Sequence, residues 1–358
     1  MRLLEPFTLG SLKLPNRVLM APLTRRRAGA GKIPTDLMAR YYAQRASAGL
    51  IISESTEVDP RSGLDAPTRP GLFTDAQAMG WRQVVDAVHD AGGRIFVQLS
   101  HLGRAAHPLL LANGAEPIGP SAIAANGNVF TPEGPMPFST PREIDILEIP
   151  GLVAQFAQAA QLALDSGFDG VEVHGANGYL IDQFLRSGSN RRIDAYGGSI
   201  GNRVRFLAEV TEAIVGIWGA ERVGVRLSPW SDFNGMSDAD PRATFAHAAE
   251  VLDQLGIAYL HFIEEPTVHD PLTADIRGRF GGALIVAGGY QRENAGAKLA
   301  DGTVDLVAFG QAFIANPDLP ERFACNAALN PADRTTFYAG GAHGYVDYST
   351  LAHSVAAL

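Results

Sequence analysis

Short apolar runs alternate with longer segments whose apolar residues recur every three to four positions, through almost the whole chain. The short runs predict strands at Arg17–Leu23, Leu50–Val58, Arg94–Ser100, Gly170–Gly175, Arg222–Pro229, Tyr259–Glu264, Ala283–Gly288 and Leu306–Gly310. Helical segments follow them, among them Asp75–Ala91, Gly151–Ser166, Asn202–Trp218 and Pro241–Leu255. In Gly151–Ser166 the apolar residues Val153, Phe156, Ala160 and Leu164 fall at helical spacing. Eight strand–helix units predict an α/β fold, a single (β/α)8 TIM barrel occupying residues 1–358 as one domain. The competing fold is a doubly wound open sheet. The barrel is preferred because no G-x-G-x-x-G follows the first strand.

Two stretches interrupt the alternation. Met1–Pro15 alternates like a short hairpin, with Leu9 and Gly10 at its turn, and is expected to plug the barrel bottom. His101–Pro150, after the third strand, is rich in Pro, Gly, Ala and Asn. An insertion of that length in a compact domain is usually functional, and it is read as a lid over the barrel mouth.

Composition narrows the chemistry. A net charge of −9 disfavours nucleic acid as a partner, since phosphate binding wants a basic surface. No apolar run approaches the roughly 20 residues that span a bilayer. No signal peptide is visible, and Cys325 is the lone cysteine, so a cytoplasmic monomer or homodimer is expected. Of 29 basic residues only Lys13, Lys32 and Lys298 are lysines. None falls near the end of a predicted strand, which disfavours Schiff-base and pyridoxal chemistry.

Catalytic groups of a barrel belong at the C-terminal strand ends. The fourth end, Glu172-Val173-His174-Gly175-Ala176-Asn177-Gly178-Tyr179, is the richest, with Glu172 and His174 on one face. A lone His there is more often structural than catalytic, and a lone Asn is a turn residue; the combination shifts the balance. Glu172 and His174 could instead bind a metal, but Gln98, Arg226 and Ser228 at the other ends are poor partners for one, and no metal is expected. Gly288 and Gly289, followed by a helix at Gln291–Leu299, suggest a phosphate site, with Gly310 on the next strand. Taken alone, the Gly-Gly pair is as well explained by a turn.

These segments together resemble the old yellow enzymes, FMN-dependent ene-reductases of the N-ethylmaleimide reductase kind, from end to end. The resemblance rests on Ala21-Pro22-Leu23-Thr24-Arg25, Ile51-Ile52-Ser53-Glu54, Val97-Gln98-Leu99, His174-Gly175-Ala176-Asn177-Gly178-Tyr179-Leu180, Val225-Arg226-Leu227-Ser228-Pro229, Ala287-Gly288-Gly289-Tyr290 and Ala308-Phe309-Gly310. It implies that Pro22, Leu23, Thr24, Ser55, Gln98 and Arg226 surround the flavin ring, and that Gly288, Gly289, Gly310 and Gln311 hold the phosphate. It implies further that His174 and Asn177 bind the oxygen of an activated alkene, with Ser100 and Tyr338 in the substrate pocket. Tyr179 would donate the proton, and NADPH or NADH would supply hydride.

Two positions depart from the family pattern. Ser100 stands where Trp is common, which should enlarge or polarise the pocket. Gln311 stands where Arg is common, so Arg292 or another cation is expected to serve the phosphate. Two alternatives remain at this level: a cofactor-free lyase or hydrolase using Glu172 and His174 as acid and base, and a flavin protein with a different role.

Overall fold

The computed structural model describes residues 2–61, 69–267 and 271–352. Eight parallel strands close a barrel: β1 (Val18–Met20), β2 (Ile51–Glu57), β3 (Ile95–Ser100), β4 (Gly170–Gly175), β5 (Val223–Leu227), β6 (Tyr259–Ile263), β7 (Ala283–Ala287) and β8 (Leu306–Phe309). Each pairs with its chain neighbours, and β8 closes onto β1 through Val307, Ala308 and Phe309 beside Val18, Leu19 and Met20. All eight predicted strands exist, but seven are shorter than expected. The first loses most: Pro22 and Leu23 leave the ladder and turn the chain into the barrel mouth, while the Ala21 amide still bonds the Phe309 carbonyl. The register of β2 against β3 shifts between Ile52 and Ser55, which re-aims Ser55.

Several helices begin where a side chain caps them. Thr74 forms a capping box with Gln77 before Asp75–Asp90, and Ser199 and Asp240 accept from the third residue of Ile200–Trp218 and Pro241–Gln254. The predicted Gly151–Ser166 helix runs Ile149–Asp165. Its buried stripe is Leu152, Phe156, Ala159, Ala160 and Ala163, so the expected face was rotated. Leu164 is 41% exposed, and Val153 only partly buried. No helix among the described residues is long and apolar enough to cross a membrane.

Inside the barrel, large and small residues interdigitate. Phe96 on β3 lies opposite Gly170 on β4, and Tyr259 on β6 opposite Gly224 on β5. The Phe96 and Tyr259 rings sit 6.1 Å apart. A Cβ on Gly224 would lie 2.1 Å from Tyr259, and one on Gly170 2.3 Å from Phe96. Below this layer the hairpin Phe7–Leu9 and Leu12–Leu14 packs Leu9 and Leu14 into the same apolar cluster, as a plug should. Its turn is Gly10–Ser11; Leu9 is still strand, and Met1 lies outside the described residues.

The insertion after β3 carries structure of its own. It holds three short 3-10 turns, a two-residue parallel pairing of Ile118–Gly119 with Arg142–Glu143, and a β-hairpin of Asn128–Thr131 with Gly134–Pro137. His101, its first residue, is buried; its Nδ1 accepts from the Gly103 amide and its Nε2 has no partner. Burial pushes its pKa down to about 4, although Asp59 opposes the shift.

Two outcomes follow from this packing. Gly224→Ala must displace the Tyr259 ring and should cost about 1–3 kcal/mol of stability, the usual penalty of overpacking, read as a lowered urea midpoint. The depressed pKa of His101 means that the unfolded chain binds the extra proton between pH 6.5 and about 4. Stability should therefore fall as pH falls through that window, and His101→Asn should flatten the fall when urea unfolding is compared at pH 7 and pH 5. An unchanged slope would mean that other groups, such as His174 and His261, carry the whole effect.

Candidate active site

Glu172 lies on the inward face of β4, fully buried. Gln98 Nε2 donates to its Oε1 at 2.7 Å. Tyr259 O–H and His261 Nδ1 reach Oε2 at 3.1 and 2.9 Å. A carboxylate only accepts, so His261 carries a proton on Nδ1. Burial lowers the His261 pKa. Burial also opposes the Glu172 charge, but His261, Arg226 and Gln98 more than offset it and keep the carboxylate ionised. With both oxygens occupied and no exposed surface, Glu172 cannot act as a working acid or base. This removes the main support for the cofactor-free lyase.

Two residues further along the same face, His174 is held neutral, chiefly by burial and then by the Arg226 and Arg69 charges. Its Nδ1 accepts the Ala176 amide at 3.3 Å, so the ring proton sits on Nε2, a donor. The chain then turns. Asn177 and Gly178 both take positive φ, +59° and +68°. Asn177 is thus a turn residue, and it also lines the cavity above. Its amide donates to Ser228 Oγ at 2.8 Å and its carbonyl accepts from Asn234 at 2.9 Å, which fixes the turn. Tyr179 starts the helix Leu180–Leu185, with His174 edge-on to its ring at 5.0 Å.

Two cavities cover the barrel mouth and meet at Pro22, Leu23 and Gln311. The inner one, about 710 Å³, is walled by Arg226, Ile263, Gly288, Gly289, Arg292 and Gly310. The outer one, about 610 Å³, is walled by Thr24, Asn177, Tyr179 and Tyr338, with Val129, Phe130 and Phe138 from the insertion.

FMN fits the inner cavity on three observations. Arg226 is buried, its Nε has no partner, and it faces the space as a permanent cation. Gly288 and Gly289 have φ of +145° and +89°, and a Cβ on Gly288 would come within 2.8 Å of the Glu264 carbonyl. The helix Arg292–Ala300 starts on the same wall, one residue later than predicted, with Gln291 as its N-cap.

Other expected contacts are redistributed. Ser100 reaches neither cavity: its hydroxyl lies 2.6 Å from that of Ser55 and bonds the Thr56 carbonyl, and it is fully buried. Ser55, Gln98 and His174 likewise line neither of these two cavities, and the register shift in β2 pairs the two serines. Gln98, also buried, spends its amide N–H on Glu172. Lys32, placed away from strand ends by sequence, bonds Glu57 at the end of β2 at 2.5 Å. It is buried in that pair, and a loop rather than a strand brings it there.

Two arginines were missed. Arg69 donates to the Tyr179 oxygen at 3.3 Å, with its guanidinium 5.6 Å from the ring centre. Arg26 lies over the Tyr338 ring at 5.4 Å. Arg26 was discoverable, since it follows the first strand end directly; Arg69 comes from a loop without periodicity.

Comparison with known proteins agrees with this geometry. The family model of the NADH:flavin oxidoreductase / NADH oxidase family matches residues 2–330. 12-Oxophytodienoate reductase 1 of Oryza sativa subsp. japonica is 42% identical over 366 residues, covering 98% of this chain and 93% of the relative. The structure of morphinone reductase in complex with tetrahydroNAD superposes with a TM-score of 0.94 at 50% identity, covering 98% and 97% of the two chains. That of an old yellow enzyme homologue from Zymomonas mobilis gives 0.94 at 43%, covering 98% and 100%. A closed barrel, an FMN-shaped anion cradle and a match over nearly the full length make this chain a member of the NADH:flavin oxidoreductase family, the old yellow enzymes.

Proposed function

We propose that this protein reduces the C=C bond of small activated alkenes, namely α,β-unsaturated carbonyl, imide or nitro compounds, with NADH or NADPH as electron source. The observation that supports it most is the end of β4, where an imidazole with its proton on Nε2, a cavity-lining Asn and a phenol follow one another. FMN, when bound beside Pro22, Leu23, Thr24 and Arg226, supplies a hydride for the β-carbon. His174 and Asn177 donate to the substrate oxygen and stabilise the negative charge that builds there. The neutrality of His174 keeps its ring a donor without adding a buried charge.

Tyr179 gives the proton to the α-carbon. Arg69 sets its direction. A guanidinium has no acceptor, so the Tyr179 oxygen accepts from Arg69 and its own hydrogen must point elsewhere. Once the proton has left, the same cation faces the phenolate. Arg226 stays positive despite burial, with Glu172 supporting its charge, and would balance negative charge on a bound flavin.

Tyr179→Phe should leave the NAD(P)H-oxidising phase near its original rate and slow enone reduction by roughly 10²–10⁴-fold, the range for a positioned acid. Arg69→Gln should slow only the second phase, by about tenfold, the cost of exchanging a charged for a neutral bond. Stopped-flow traces of the flavin band separate the phases. Equal slowing of both would make Tyr179 a packing residue.

The phosphate end gives a second expectation. Arg292 donates its Nε to the Phe323 carbonyl and lines the inner cavity, in the region where Gln311 brings no charge. Arg292→Gln should weaken FMN about tenfold, read by quenching of flavin fluorescence on titrating the apoprotein. Gln311→Arg in that background should recover the loss. An unaltered affinity in the single variant would place the phosphate's cation elsewhere.

A further inference from the structure

The outer cavity has a charge imbalance that alkene reduction by itself does not require. Arg26 is half-buried on its wall, yet its guanidinium makes no hydrogen bond or ion pair with any described residue, and its Nε is sealed from solvent. Its one contact of note is the Tyr338 ring face. Arg69 is buried in the same wall, and beyond its bond to Tyr179 its Nε and Nη1 have no partner. No Asp or Glu lines this cavity among the described residues.

The nearest acids are already committed. Glu57 holds Lys32, and Glu54 accepts from the Arg25 amide and the Tyr42 hydroxyl. Arg25 itself is spent on the carbonyls of Phe337 and Gly344. Arg26 and Arg69 repel along this wall, and the Arg26 pKa is lowered by burial first and by Arg69 next, with the Tyr338 and Tyr179 oxygens offsetting part of the shift. Two partly desolvated cations beside an open space define an anion site.

We propose that Arg26, backed by the field of Arg69, forms an anion subsite that takes the carboxylate or phosphate group of a molecule entering the outer cavity. This deepens the preceding function and rests on this cavity being the substrate chamber. The subsite lies on the wall of the same chamber as Asn177 and Tyr179. It selects molecules carrying an oxyanion at a distance from their activated double bond, or a nucleotide carrying an extra phosphate. Arg26 contacts the anion directly through its terminal nitrogens, in the planar geometry that suits two oxygens. Arg69 stays on Tyr179 and adds charge from behind.

Calorimetric titration of the flavin-loaded protein with benzoate and its neutral isostere benzamide tests the subsite without turnover. The wild type should bind benzoate about tenfold more tightly, and added salt should erode the difference. Arg26→Gln should abolish it and Arg26→Lys should retain part of it.

Two kinetic comparisons then identify the source. One sets a cyclohexenone bearing a carboxylate arm against 2-cyclohexen-1-one; the other sets NADPH against NADH. A fall of the first kcat/KM ratio in Arg26→Gln assigns the subsite to the substrate, and a fall of the second assigns it to the nucleotide phosphate. Equal affinity for benzoate and benzamide in the wild type, a preference that survives Arg26→Gln, or two unchanged ratios would overturn the proposal. Failure of the wild type to reduce any enone, with the benzoate preference intact, would instead remove the alkene-reductase function and leave the anion site standing.

Discussion

Glu172 is an ionised carboxylate enclosed within a closed barrel, and a charge so placed costs several kcal/mol unless its surroundings return it. The return comes from three strands at once: Gln98 on β3, Arg226 on β5, and Tyr259 and His261 on β6, all directed at one group on β4. Many features follow from that convergence. Tyr259 must lean across β5, so Gly224 must have no side chain. His261 must carry its proton on Nδ1. Arg226 remains charged but forms no hydrogen bond that would tie it down, and it is left facing the mouth. The cation it presents there helps to keep His174 neutral one layer up.

A second framework holds the opposite rim, and it accounts for the scarcity of lysine. Arg25, Arg45, Arg104 and Arg186 are among the largest fully buried side chains. Each caps backbone carbonyls with its planar fork. Arg25 and Arg27 bind the segment around Phe337–Gly344, and Arg45 binds Phe313 and Ile314 while stacked on Tyr41. Tyr41 in turn stacks on Tyr345 at 4.0 Å. A compact ammonium could not satisfy several diverging carbonyls in this way. Thr24 is thus held between an anchored Arg25 and the barrel wall.

The barrel was legible because its signal is repeated eight times and any one unit can be weak. Its details were not. Strand ends depend on which neighbour still offers a ladder partner, as at Pro22 and Leu23, and single-chain periodicity carries no information on that. The buried stripe of Ile149–Asp165 was misplaced because Leu164 is apolar but faces outward. At the site, strand alternation was enough to put Glu172 and His174 on one face and could equally have found Tyr259 and His261. Ser100 was misjudged because a cross-strand register shift, invisible in one strand, aims Ser55 at it. Arg69 was out of reach, since only the tertiary path of a loop brings it to Tyr179.

The hairpin Asn128–Pro137 closes its ladder on itself, and its neck is the Phe138 amide bonded to the Gly127 carbonyl. It touches the chamber through Val129 and Phe130 and adds no rung to the barrel. The buried charge network and the outer wall of the chamber are therefore built from separate pieces of chain. Strand residues that hold charge are interlocked and hard to alter one at a time. The hairpin can vary in length and side chain while the barrel pairing stays intact, so a lineage can explore new guests on a segment that bears little of the fold's weight.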